Sequence, residues 1–148
     1  MKRTLLPTNK RKGFTLVELA VVVVIIGVLA SFGIPRMLKS VERSKAAEAF
    51  GYLTAIRAAQ ERHQARTGTY SADLTALDVQ MSDPTYFTVG TVSFGGTSLE
   101  DSWTLTLARQ GASAGYGDYT VTFTEDGYDA DPLVSTIEGF PDINPRGS

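Results

Sequence analysis

The stretch Gly13 to Pro35, GFTLVELAVVVVIIGVLASFGIP, limits what this chain can become more than any other part of it. One carboxylate, Glu18, stands near its start, and from Leu19 to Pro35 there is no charge at all. Immediately before the run comes the basic cluster Lys10, Arg11, Lys12. About 20 apolar residues at ~1.5 Å rise cross the hydrocarbon core of a bilayer, so the segment reads as a transmembrane helix. Cations flanking its start hold the N-terminus in the cytoplasm and send the rest outward. The alternative, a buried helix of a soluble protein, needs a larger body around it than 148 residues supply.

Glu18 is the odd member of this run. An unpaired acid inside a bilayer costs roughly 2.5–3.5 kcal/mol on insertion scales, which makes it a functional candidate by default. The purely local explanation is an acid favoured by the dipole at a helix N-terminus, worth about 0.3–1 kcal/mol. The motif GFTLVE followed by a long apolar helix resembles the N-terminus of type IV pilins and type II secretion pseudopilins. The match is close from Lys12 to about Pro35 and looser to about Tyr70, where AQERHQARTGTYSADLTAL contains a G-x-Y element that closes the long helix in such proteins. The resemblance implies cleavage between Gly13 and Phe14 by a membrane prepilin peptidase, followed by N-methylation of Phe14. It implies an assembly role for Glu18, whose carboxylate would pair with the Phe14 amine of a neighbouring subunit. Such a pair removes two isolated charges from apolar surroundings at once, and breaking it from one side typically costs about 3–5 kcal/mol. Gly27, Gly33 and Pro35 weaken the helix ladder, and the resemblance implies kinking or melting of the helix there.

Residues 1–13 read as a leader removed on processing. They carry Lys2, Arg3, Lys10, Arg11 and Lys12 and no acid, which masks the acidity of the remaining chain. Residues 68–148 have only Arg109 and Arg146 against twelve acidic residues. A head of that sign is a poor electrostatic match for nucleic acid. The chain has no cysteine, so the head must hold together without the disulfide that many pilins carry near the C-terminus.

Residues 14–35 are expected to form the membrane or filament-core half of one long helix, and 36–67 its amphipathic half. Met37, Leu38, Val41, Phe50, Leu53 and Ile56 recur at roughly helical spacing, with Glu42 to Lys45 and Arg57 to Glu61 as supporting charge pairs. Gly68 suits the position just past the helix end. His63 is the sole histidine and has no second His or any Cys to share a metal or a reaction with. A short helix after Ser71 is expected in the connection to a head spanning 68–148. Strand candidates are Thr85 to Phe94, with a bulge or break at Gly90, then the alternating runs around Trp103–Ala108 and Tyr119–Thr124. Their threonines are expected to face solvent or a neighbour, with the glycine-rich stretch 111–117 as a hairpin loop exposing Tyr116. Asp126, Asp129 and Asp131 around Gly127 read as a solvated turn, with a weak Ca²⁺ site as the lesser alternative because the EF-hand spacing is missing. In the tail, Leu133, Ile137 and Phe140 are the expected anchors.

The expected fold is therefore α+β: a long N-terminal helix, kinked near Pro35, packed on a small antiparallel sheet. No cofactor is expected, beyond that minor calcium alternative, and no catalysis. The implied function is a type IV pilin subunit of a homo-oligomeric helical filament, with a secretion pseudopilin or a minor pilin as alternatives. The implied partners are the prepilin peptidase and methyltransferase, an inner-membrane assembly platform, and the membrane before assembly. The implied location is the inner membrane, then the cell surface, or the periplasm for a pseudopilin.

Overall fold

The computed structural model describes residues 13–112 and 115–147. A single helix, α1, runs Leu16–Thr67 and includes Pro35. The chain divides into two units at Ile34/Pro35. Within the first, the described residues are helical from Leu16, and their large apolar side chains are exposed. The second comprises the rest of α1, a short 3₁₀ turn at Leu74–Ala76, and four strands: β1 (Phe87–Val89), β2 (Thr104–Ala112), β3 (Gly117–Thr124) and β4 (Gly127–Tyr128). They form an antiparallel meander in the order β1-β2-β3-β4.

Period-two alternation in β2 and β3 decides which face is buried. Leu105, Leu107, Tyr119, Val121 and Phe123 pack with Phe87 against α1, which presents Ala46, Ala49, Phe50, Leu53, Ile56 and Ala59. Small alanines let the helix approach the sheet, while Phe50 meets Phe123 edge-on at 5.9 Å between centroids. Gly68, at φ +86°, ends the helix, and its N–H donates to the Gln64 carbonyl. Gly90 ends β1 for a different reason. Its N–H donates to the Thr106 carbonyl, and a Cβ there would sit 2.7 Å from that same oxygen.

Gln60 ties the helix to the connection after it. Its fully buried amide accepts from the Ser71 N–H and donates to the Ser71 carbonyl, both at 2.8 Å. Gln60→Leu keeps the volume but strands both backbone groups, so a loss of about 1–3 kcal/mol is expected in denaturant unfolding. His63 closes the same corner, with Nδ1 3.0 Å from the Thr69 carbonyl oxygen. The short helix expected after Ser71 is the 3₁₀ turn, capped by Asp73.

The largest departure from expectation lies beneath α1. Glu42, expected only as a helical charge partner of Lys45, is fully buried. It lies four residues before Ala46 and seven before Ala49, on the helix face that meets the sheet. Arg109 continues the inward alternation of Leu105 and Leu107 and donates from Nε to Glu42 Oε1 at 2.8 Å. The Tyr119 hydroxyl donates to the same oxygen at 3.1 Å, and Lys45 Nζ stands 3.5 Å from Oε2. Burial alone would raise the Glu42 pKa, but these hydrogen bonds and cations outweigh it and hold the carboxyl below the usual range. Arg57 pairs differently from expectation, donating to the Glu125 carbonyl at 2.8 Å.

The C-terminal tail also differs. Leu133 is 89% exposed, whereas Ile137 and Ile143 are fully buried, so Ile143 replaces Leu133 as an anchor. Tyr116 is buried edge-on against Phe140, and its hydroxyl donates to Asp142, which pairs with Lys39 at 2.9 Å. Ser135 and Thr136 accept hydrogen bonds from the backbone N–H groups of Thr122 and Thr120, where β4 is too short to cover the β3 edge. Thr122 is thereby buried, and Thr120 donates to the Val134 carbonyl. The tail protects a sheet edge that would otherwise offer free backbone groups.

Candidate assembly segment

The segment from Gly13 to Val41 has the surface of a protein interior without a protein around it. Its large apolar side chains are exposed throughout, from Phe14 at 79% to Val41 at 39%. Soluble surfaces seldom expose apolar patches beyond a few hundred Å², so this surface calls for lipid or for other chains. α1 is long and apolar enough to cross a membrane.

Phe14 and Thr15 precede the helix, and Thr15 caps it. The Thr15 hydroxyl accepts from the Glu18 N–H at 3.2 Å, while Glu18 Oε2 accepts from the Thr15 N–H and hydroxyl, both at 2.8 Å. This is a reciprocal capping box, T-x-x-E, and it satisfies backbone donors that the first helical turn leaves open. The pattern was present in the sequence as the spacing from Thr15 to Glu18. Glu18 therefore has a local partner and remains exposed at the end of an apolar rod.

Gly27 and Gly33 lie within the helix, and a Cβ at either would meet nothing within 4 Å. Packing within the chain therefore does not require glycine there. Pro35, also inside the helix, lacks the N–H that would reach the Ser31 carbonyl. The basic cluster 10–12 lies outside the described residues.

In the head, Asp126 sits in the tight turn between β3 and β4, with Gly127 at φ +114°. Asp129 and Asp131 use their carboxylates on backbone N–H groups, those of Asp131 and Leu133 respectively, both at 2.9 Å. Among the described residues, no group of three or more His, Asp or Glu side chains is placed to hold a metal ion.

Similarities to known proteins fall on the exposed apolar rod and its capped acid. Residues 8–34 match the family model described as the prokaryotic N-terminal methylation motif, a span that includes Gly13, Phe14 and Glu18. The chain is 44% identical over 62 residues to a type IV major pilin protein PilA of Myxococcus xanthus, covering 42% of this chain and 28% of that one. It is 33% identical over 77 residues to the type II secretion system core protein G of Pseudomonas aeruginosa, covering 52% of this chain and 54% of the relative. A fimbrial protein EcpC of Eikenella corrodens is 34% identical over 89 residues, 60% of this chain and 58% of that protein. The matched stretches thus span little more than half of these relatives at most. The N-terminal segment thus matches a prokaryotic N-terminal methylation motif, and the chain as a whole has an α+β fold of one long helix and a four-stranded antiparallel sheet.

Proposed function

We propose that this chain is the precursor of a structural filament subunit of the type IV pilin kind. The observation that carries the reading is the exposed apolar segment 14–41 joined to an N-terminal methylation motif. In this reading the precursor waits in the inner membrane and is cut between Gly13 and Phe14, and Phe14 is methylated. Assembly then transfers the apolar rod from lipid to the company of identical rods, which keep it away from water. The head remains outside and needs no catalytic group for this task.

The test is mass spectrometry on sheared surface material and membranes. Mature chains beginning at methylated Phe14 are expected in both, and Gly13→Ser should leave the uncut precursor and no filaments. A Phe14 N-terminus in the Gly13→Ser variant would refute the assigned cleavage site.

The second reading is a pseudopilin of a type II secretion system. It is supported by the alignment to core protein G, 33% identical over 52% of this chain and 54% of that protein. Abundant long surface fibres containing this chain support the pilin. Processed chain retained at the membrane, without such fibres, supports the pseudopilin.

A further inference from the structure

Five of the seven Lys and Arg side chains of the helix have partners among the described residues. Lys39 pairs with Asp142, Lys45 with Glu42 and Arg62 with Asp78. Arg57 donates to the Glu125 carbonyl and Arg66 to that of Arg62. Arg36 and Arg43 alone among these basic residues have neither an ion pair nor a hydrogen bond within the described residues. Seven positions apart, they lie on one side of α1. Exposed Ser40, Ala47 and Gly51 continue that side, away from the buried face of Glu42, Ala46, Ala49 and Leu53. A Cβ on Gly51 meets nothing within 4 Å, so this helix face is uncovered.

The head has the opposite surplus. Asp126 has no hydrogen bond or ion pair among the described residues, and the Asp129 and Asp131 carboxylates meet only the backbone N–H groups of their own loop. Beside them stands Leu133, the most exposed large hydrophobic side chain of the described residues.

We infer that the outward helix face around Arg36 and Arg43 is covered by the loop 126–133 of a second copy of this chain. The inference rests on the filament reading above and adds the contact that orients its heads. Charge complementarity selects the occupant: helix face against helix face sets cation on cation, while loop against helix face joins unlike charges. Small residues at 47 and 51 leave room for the apolar Leu133 to approach. The two patches differ, so the contact is heterologous and, where its rotation does not close, propagates into an open helical array.

The test uses full-length protein in cells that process and assemble it. Arg36→Glu with Arg43→Glu, and separately Asp126→Lys with Asp131→Lys, should each lower sheared filament yield by at least about tenfold, the effect of ~1.4 kcal/mol. Combining all four reversals should restore assembly. Wild-type yield from either double variant would overturn the inference, as would no recovery in the combination. Loss of the arginine variant from the membrane before assembly would also overturn it and would point to anionic lipid headgroups instead. If wild type itself forms no filaments, the filament reading fails and this contact with it. If wild type assembles and the variants do too, only the contact fails. Cross-linking supplies a measurement that does not depend on the reversals folding. The chain has no cysteine, so Arg43→Cys with Asp131→Cys gives a bifunctional maleimide only these two thiols. A ladder of oligomers from filaments is expected, and monomers alone would overturn the contact.

Discussion

Arg109→Met is expected to destabilise the full-length protein in detergent by about 3 kcal/mol or more, measured by denaturant unfolding. The substitution leaves the Glu42 carboxylate buried beneath the helix after its closest cation has gone. Lys45 and Tyr119 remain near it, which places the effect at the lower end of the range for a broken buried pair. Replacing both members, Glu42→Met with Arg109→Met, should recover most of the loss, because well-packed apolar side chains commonly match a buried pair in stability. The pH dependence has a definite sign. The folded-state pKa of Glu42 lies below its ordinary value, so its contribution is present above the unfolded carboxylate range and is lost as pH falls through the folded value. Asp78 and Asp142 are lowered as well, by hydrogen bonds from Arg62 and from Lys39 and Tyr116, so acid weakens the protein at several places. Glu42→Gln should remove only the Glu42 share, flattening the stability profile on the acid side. An unchanged slope in that variant would show that the pair is not coupled to folding.

Glu18→Ala is expected to yield a processed, membrane-resident protein that is absent from sheared filaments. This variant alone does not distinguish two roles, because alanine removes both the charge and the capping box with Thr15. Loss of the cap costs the helix start about 1 kcal/mol, a modest sum for a helix of this length. Glu18→Gln separates the roles. Glutamine at the third helical position can complete the box but cannot neutralise a neighbour's amine. Assembly failure in both variants assigns Glu18 to a charge contact between subunits. Normal filament yield from Glu18→Gln, with failure of Glu18→Ala, would assign it to the cap.

The elements with strong periodicity were legible in the chain: the helix, its stop at Gly68, and the alternation of β2 and β3. The apolar run and Glu18 stood out because no polar neighbour hides them. What escaped were features in which a charged residue behaves like an apolar one. Glu42 and Arg109 each occupy a position that periodicity assigns to the core, and a hydrophobic count passes over both. Their pairing joins positions 67 residues apart, a contact that no local spacing reveals. β4 was hidden because two residues, Gly127 and Tyr128, carry no pattern of their own and pair only because the turn at Glu125 and Asp126 returns them to β3. Tyr116 and Leu133 exchanged their expected environments for a related reason. Loop residues are placed by partners distant in sequence, here Phe140 and Asp142 for Tyr116.

The closing segment of the head has a consequence for where the protein can mature. Ile137, Ile143, the Asp142 pairing and the hydroxyls of Ser135 and Thr136 secure it, and none of these contacts depends on redox state. Its folding thus demands no thiol oxidant or disulfide isomerase, and a reducing milieu leaves the finished head as sound as an oxidising one.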